Sequence, residues 1–333
     1  KILVRSWFFR IFTLLAVVFL GFFNFAMMLM EDNFGLWFAK SVSSNIPYLN
    51  LLLLNTGQAV VAVFLSSEFL KRDKKLDTSE VFYVRPLSNA EYVVGKIWGN
   101  LRVFLFLNLL VLAIVLAFNF MASGVAVDLP AYLVYFFLIS IPTLMFIIGL
   151  SIFLMLLLKN QALTFILLLG YIGLTLFYIQ DKFYYLFDYM VYNLPLFKST
   201  IVGFSNLELI LNHRAIYFFA GLGFIFFTIF LFKRLPNARR SHYPWLFLSF
   251  CMFLLMGTAG FRHVRSILRE GEMRALYTSI NNKYVYEPKM AIDYYDISVE
   301  QKSETIRSVV GMEGTALAAS EVFIFCLNPG LRV

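Results

Sequence analysis

Few residues in this chain have the chemical types that catalysis or metal binding requires. The three histidines, His213, His242 and His263, include no pair four positions apart, so the HExxH zinc signature is absent. Cys251 lies in an apolar stretch and Cys326 in the polar tail, which predicts no disulfide. No nucleophile is paired with a base. We therefore predict no catalytic residues and no metal site.

Nucleotide chemistry is not expected from this chain either. A phosphate-binding loop needs a glycine-rich turn, then lysine, then a Ser or Thr that reaches Mg²⁺. The nearest match is Gly95-Lys96, which is followed by Ile97 and lacks both the turn and the hydroxyl. The chain is predicted to be non-catalytic and to carry no cofactor of its own.

Three amides are the candidates for a translocation path. Asn55 and Gln58 are three residues apart on one face of an apolar segment, and Asn108 lies in another segment. Two interpretations are open, because polar groups in membrane segments either line a path or hydrogen-bond helices to one another. The same choice applies to other polar residues of apolar segments: Asn24, Thr143 and Ser151.

The elements that must position these side chains are long apolar segments. Of the 333 residues, 60% are hydrophobic and 14% charged, more apolar surface than a soluble core absorbs. Seven segments are long enough to cross about 30 Å of hydrocarbon as helices: Trp7–Met30, Leu49–Leu70, Ile97–Phe120, Ala131–Leu158, Ala162–Ile179, Ile216–Phe232 and Tyr243–Phe261. We predict an all-α polytopic membrane protein with a small, incomplete β-rich C-terminal tail.

The placement of basic residues predicts orientation and argues against nucleic-acid binding. The net charge is +8, but Lys and Arg stand beside apolar segments rather than on one soluble face. With the N-terminus cytoplasmic, the outer loops hold only four basic residues: Lys40, Lys182, Lys198 and Arg214. A seventh crossing then places the tail outside. Three arginines after the seventh segment favour the alternative of a cytoplasmic tail: Arg262, Arg265 and Arg269.

The chain changes character after residue 261. A charged helical stretch, Arg262–Leu276, precedes polar strand-like runs, and Glu321–Leu327 reads as a strand before Asn328-Pro329-Gly330. Residues 241–277 are interpreted as the seventh span with a helical linker. Residues 278–333 are interpreted as the start of an extracytoplasmic β-domain, too short alone to bury a sheet core.

The most informative segment is the basic stretch Lys71–Leu101, between the second and third spans. Two pairs have capping-box spacing, which predicts two helix starts: Asp77 with Glu80, and Ser88 with Glu91. Pro86 separates them, since proline disfavours helix at the preceding residue. A short helix at Thr78–Val84 is predicted. Such a helix either transmits force to a cytoplasmic partner or belongs to a basic loop that lies against anionic lipid.

The run from Ser67-Glu68-Phe69 through Arg85-Pro86-Leu87-Ser88 to Gly95-Lys96 closely resembles the intracellular loop of ABC-2-type permeases. That loop has an acidic residue ending the second helix, a basic stretch, a Pro-Leu-Ser turn and a Gly-Lys entry to the third helix. In the family it looks like a coupling helix that docks in a groove of the nucleotide-binding subunit. The resemblance implies these ATPase contacts: Glu68, Arg72, Asp77, Thr78, Glu80, Arg85, Pro86, Glu91 and Lys96.

The resemblance covers residues 1–240 and implies an assembly. Family members look like six-helix permease units that pair with a second, identical or homologous half and with a cytoplasmic ABC ATPase, which binds ATP and Mg²⁺. Export across a bacterial inner membrane is implied, as is a helical excursion between spans five and six. Asp181–Leu211 occupies that place, and its Tyr and Phe residues are typical of an aromatic-belt loop or of a gate.

A second resemblance concerns the tail. YDISVE around Asp296, and Val322–Val333, resemble the start of the N-terminal β-domain of M1-family aminopeptidases, which follows an ABC-2 permease in some bacterial proteins. Two rival functions stay open: a membrane anchor for such a β-domain, and a secondary transporter. The transporter is weakened because no carboxylate lies in the middle of a span and no internal repeat is evident.

Overall fold

The fold consists of long helices followed by a β-hairpin. The computed structural model describes residues 6–29, 42–75, 88–121, 126–179, 181–232, 243–287, 289–302, 305–320 and 322–325, except 195, 197, 200–202 and 205; for 67–75 it describes the backbone alone. The chain divides into two units, Lys1–Thr200 with Phe204–His263, and Ile201–Gly203 with Val264–Val333.

Seven helices in the described ranges are long and apolar enough to cross a membrane, which confirms the predicted number. They are α1 (Trp7–Leu29), α2 (Asn45–Lys75), α3 (Asn89–Met121), α4 (Leu129–Leu158), α5 (Gln161–Ile179), α6 (Leu207–Leu231) and α7 (Tyr243–Lys283). This architecture is compatible with a polytopic membrane protein. The predicted seventh span and the charged stretch after it form one continuous helix, because no proline interrupts residues 245–283.

α2 and α3 are among the helices that are much longer than a bilayer requires. α2 has 31 residues and α3 has 33, which at 1.5 Å per residue gives about 46 and 50 Å. The capping box that begins α3 is confirmed, since the backbone N–H of Ser88 donates to Glu91 Oε2 at 2.7 Å and the N–H of Glu91 donates to Ser88 Oγ at 3.1 Å. The capping box predicted at Asp77 and Glu80 lies outside the described residues.

α4 lies at the centre of the first unit and packs against α2, α3, α5 and α6. It consists of two α-helical parts, Leu129–Tyr135 and Ile141–Leu158, joined by a π-helical turn at Phe136–Ser140. We call this turn the π turn. Large apolar side chains of α4 are fully buried: Ile139, Leu144, Ile147 and Ile148. The core of the first unit is therefore built around α4.

Glycines bring α4 and α6 into backbone contact. A Cβ on Gly149 would lie 2.7 Å from the carbonyl oxygen of Gly221, and a Cβ on Gly221 would lie 2.6 Å from the carbonyl of Met145. No larger residue fits this separation. Small residues serve the same purpose wherever membrane helices pack closely.

In the second unit, β1 (Met290–Lys302) and β2 (Thr305–Ala316) pair as an antiparallel hairpin. Because side chains alternate along a strand, one face collects apolar residues, all of them exposed: Tyr295, Ile297, Val299, Ile306, Val310 and Met312. The strand predicted at Glu321–Leu327 is not formed by residues 322–325, which have no strand partner among the described residues. Its remaining residues lie outside the described ranges.

Candidate functional site

The three predicted path amides meet in one buried network. Gln58 Nε2 donates to Asn55 Oδ1 at 2.6 Å, and Asn108 Nδ2 donates to Gln58 Oε1 at 2.9 Å. Asn55 Nδ2 and Ser140 Oγ both donate to Asn108 Oδ1, at 3.2 and 2.8 Å. We call these four side chains the polar network. All four are 0% exposed.

The polar network ties three helices together. Asn55 and Gln58 come from α2, Asn108 from α3, and Ser140 from the π turn of α4. Asn55 and Asn108 also donate to carbonyls of their own helices, at Leu51 and Phe104. In this conformation the network joins helices, as buried polar groups must find partners in hydrocarbon. Its role as a path stays a prediction. Ser140, which the sequence analysis did not single out, joins these amides from the π turn.

The other polar residues of apolar segments have separate partners. Asn24 of α1 exchanges two hydrogen bonds with Asn50 of α2, at 2.7 and 3.1 Å. Ser151 donates to the carbonyl of Ile147 in its own helix, at 2.6 Å. Thr143 donates at 3.2 Å to a carbonyl of the chain between α5 and α6. The structure therefore places none of these three in the polar network.

Two of the predicted ATPase contacts have described side chains. Glu91 is engaged in the α3 capping box, and Lys96 Nζ lies 4.7 Å from the centroid of the Tyr92 ring. For Glu68 and Arg72 only the α2 backbone is described. The others lie outside the described residues: Asp77, Thr78, Glu80, Arg85 and Pro86. The structure neither gathers nor separates the full predicted set.

The connection between α5 and α6 is packed into the helices. We call Lys182–Lys198 the 182–198 segment. Five apolar side chains in its second half are at most 2% exposed: Tyr189, Met190, Val191, Leu194 and Leu196. In the first half, Phe183 and Tyr184 are 61% and 45% exposed. An aromatic-belt loop explains the exposed side chains but not the buried ones.

Side chains of α2 and α4 satisfy the irregular backbone of the 182–198 segment. The Tyr48 hydroxyl donates to the carbonyl of Val191 at 3.3 Å, and the Tyr135 hydroxyl donates to the carbonyl of Leu196 at 2.7 Å. Lys198 Nζ lies 2.7 Å from the Asp128 carboxylate. Buried backbone polar groups need hydrogen-bond partners, and here side chains supply them.

Arg214 is the functional candidate that sequence reasoning placed elsewhere. It was expected in an outer loop, but it lies in the second turn of α6 and is 2% exposed. Its hydrogen-bond acceptors belong to α4 and to the 182–198 segment. The available signal was a lone arginine two residues before a predicted span, since buried charge near a membrane segment is costly and marks a special contact.

A buried carboxylate lies in the same region. Asp188 is 3% exposed and accepts hydrogen bonds from the backbone N–H groups of Tyr192 and Asn193, at 3.0 and 2.8 Å. Burial raises the pKa of Asp188, although these N–H groups and the nearby charge of Arg214 oppose the shift. The carboxyl therefore protonates more readily than an exposed aspartate.

Metal chemistry has no evident site in the part of the chain that the structure describes, where no group of three or more His, Cys, Asp or Glu residues comes together.

Comparison of the chain with protein-family models, with curated proteins and with solved structures finds no match. The functional interpretation therefore rests on the residues and on their geometry.

Proposed function

We propose that this chain is the membrane-spanning permease half of an ATP-driven ABC-2-type exporter of the bacterial inner membrane. A separate cytoplasmic ABC ATPase binds ATP and Mg²⁺, and a second permease half completes the pathway. The chain itself is not an enzyme. The observation that carries the proposal is the sequence from Glu68 to Lys96, which resembles the ABC-2 pattern. It runs from the end of α2 through the connection into the start of α3.

The lengths of α2 and α3 support a coupling role for this connection. A span needs about 20 residues, whereas the two helices have 31 and 33. The excess polar residues adjoin the connection: α2 ends in the basic run Lys71–Lys75, and α3 begins with its exposed capping box. Helices that continue beyond the bilayer act as levers, because an α-helix transmits displacement along its axis.

The polar network connects these two helices to α4. A pull on the connection acts on α2 and α3 together. Asn55 of α2 donates a hydrogen bond to Ser140, and Asn108 of α3 accepts one from Ser140. A displacement therefore reaches α4, the central helix, as in rigid-body switching between two states. The absence of carboxylates from the middle of the spans favours a hydrophobic or amphipathic cargo.

Affinity purification with mass spectrometry tests the proposal. The tagged chain is recovered in mild detergent from cells that express its native neighbours, as wild type and as the variant Glu80→Arg with Arg85→Glu. Lys159→Glu is the matched control, because it changes an exposed charge in the α4–α5 connection, which is also predicted to be cytoplasmic.

We expect an ABC ATPase with wild type and with Lys159→Glu, but not with the double variant. Substrate-stimulated ATPase activity should likewise be present in wild type and in Lys159→Glu and absent from the double variant. An ATPase that remains bound to the double variant contradicts the coupling role of the connection. Recovery of no ATPase with wild type contradicts the transporter class.

The hairpin favours a second candidate role, as an anchor for an extracytoplasmic β-domain. An isolated two-stranded hairpin is marginally stable in water, and an apolar face needs a covering layer. Tyr295 pairs with Met312 and Ile297 with Val310 on that face, yet all four are 42–57% exposed. Expression of residues 278–333 with any downstream sequence, followed by near-ultraviolet circular dichroism, tests whether a folded domain forms without the spans.

A further inference from the structure

Four hydrogen bonds from Arg214 join α4 to the 182–198 segment. On α4, Nε donates to the carbonyl of Leu138 at 2.6 Å, and Nη2 donates to the carbonyl of Ile139 at 3.3 Å and to Thr143 Oγ1 at 2.8 Å. Nη1 donates to the carbonyl of Tyr189 at 3.0 Å. No carboxylate within the described ranges forms an ion pair with this guanidinium. Neutral acceptors receive all four hydrogen bonds, and together with the nearby charge of Asp188 they compensate the burial of the guanidinium.

Pro142 explains why the carbonyl of Leu138 lacks its usual α-helical donor. In an α-helix the carbonyl of Leu138 would accept the N–H of residue 142, but Pro142 has none. The π turn ends at Ser140, two residues before this proline. Arg214 supplies the donor that proline removes. The buried arginine thus stabilises the irregular part of α4.

The 182–198 segment also contains backbone strain that other elements maintain. Phe183–Tyr185 have φ between 51° and 63°, and Val191 has φ 68°, in the left-handed region that side chains disfavour. Hydrogen bonds from α6 and α7 hold three successive carbonyls of this turn: Tyr184 from His263 at 2.8 Å, Tyr185 from His213 at 3.0 Å, and Leu186 from Tyr217. These hydrogen bonds tie the left-handed turn to α6 and α7.

The π turn touches both the polar network and the Arg214 contacts. Ser140, at its end, donates to Asn108 of the network, while Leu138 and Ile139, within it, accept from Arg214. One short element therefore contacts both the polar network and the arginine that is hydrogen-bonded to the 182–198 segment. π turns are local departures from α-helix that occur often at functional sites.

We propose that Arg214, the π turn and the 182–198 segment form a latch that closes one end of the pathway and opens when α4 shifts. The latch rests on the proposed transport function, because what it closes is the pathway of a transporter. In the predicted orientation it faces the outside and controls release of cargo. Arg214 acts as a positioning residue: it holds Tyr189 against Thr143 and the π turn until the helix moves.

Cysteine accessibility tests the latch without an ATPase. The full chain, in lipid nanodiscs and with Cys251→Ala and Cys326→Ala, carries either Leu194→Cys in the segment or Leu168→Cys in α5; both leucines are at most 2% exposed. A water-soluble maleimide measures how often each position opens. Arg214→Gln should raise the labelling rate of Leu194→Cys by about tenfold or more, as loss of charged hydrogen bonds predicts. Leu168→Cys should stay protected.

Further variants separate a latch from a general structural role. Thr143→Val, similar in shape, removes one acceptor of Arg214 and one donor to Tyr189, and should give a smaller increase at Leu194→Cys. Asn108→Ala should also increase it through the π turn. The matched control is Asn24→Ala, which breaks a separate buried asparagine pair, Asn24 with Asn50, and should leave the labelling rate of Leu194→Cys unchanged.

Three outcomes overturn the latch. They are protection of Leu194→Cys in Arg214→Gln, equal exposure of both cysteine positions, and equal effects of Asn108→Ala and Asn24→Ala. None of them involves the ATPase, so failure of the latch is distinct from failure of the transporter proposal, which co-purification decides.

Discussion

Replacement of Gly221 by alanine tests the backbone contact between α4 and α6 at the centre of the fold. The added Cβ would lie 2.6 Å from the carbonyl carbon and oxygen of Met145. Backbone atoms cannot rotate away, so the helices must separate by roughly 1 Å, and overpacking of this kind costs up to about 3 kcal/mol. Alanine recovers about 1 kcal/mol through its higher helix propensity. We expect a net destabilisation of about 2 kcal/mol.

The assay is reversible unfolding in a denaturing detergent, followed by tryptophan fluorescence. Gly257→Ala is the matched control, because a Cβ at that position of α7 meets nothing within 4 Å, and it should be neutral or stabilising by up to about 1 kcal/mol. Gly149→Ala enters the same contact, 2.7 Å from Gly221. The double variant Gly149→Ala with Gly221→Ala should therefore lose less than the two single losses combined, since the first change already separates the helices.

The reasoning is refuted if Gly221→Ala is as stable as Gly257→Ala. It is also refuted if the two losses at the contact simply add, because independent sites would then be involved. A loss confined to Gly221→Ala, with Gly149→Ala neutral, would locate the constraint on one helix only.

Three further predictions concern local features. Ser88→Ala removes the α3 cap, costs about 1 kcal/mol and should speed amide hydrogen exchange in the first turn of α3; unchanged exchange contradicts it. Lys159 ends α4 with φ 53°, so Lys159→Gly should stabilise by up to about 1 kcal/mol in the same unfolding assay while Lys159→Ala does not. For Asp188 the folded-state pKa is raised, so the native state binds more protons. Wild-type stability should fall as pH rises from the ordinary aspartate pKa to the raised one, and Asp188→Asn should flatten this profile; equal slopes would show that the carboxyl titrates normally.

Much of the helical layout was predictable from local signals. Apolar length alone predicts the seven long helices, because hydrocarbon requires a continuous apolar stretch whose backbone bonds within itself. The spacing of Ser88 and Glu91 predicts the start of α3, since the two residues satisfy each other's N–H groups. The alternation of Ile297, Ser298 and Val299 indicates a strand for a similarly local reason. Each signal involves residues close in sequence.

The tertiary structure decided which distant groups meet. Sequence reasoning could place Asn55, Gln58 and Asn108 in membrane segments, but only the packing of α2 on α3 and the π turn of α4 show that they share partners with Ser140. The sequence analysis assigned Arg214 to a loop. Its hydrogen-bond acceptors lie 25 to 76 residues away along the chain, so no local sequence pattern predicts them. Hydropathy measures the transfer of a residue into lipid, whereas a buried arginine is stabilised by partners that folding brings together.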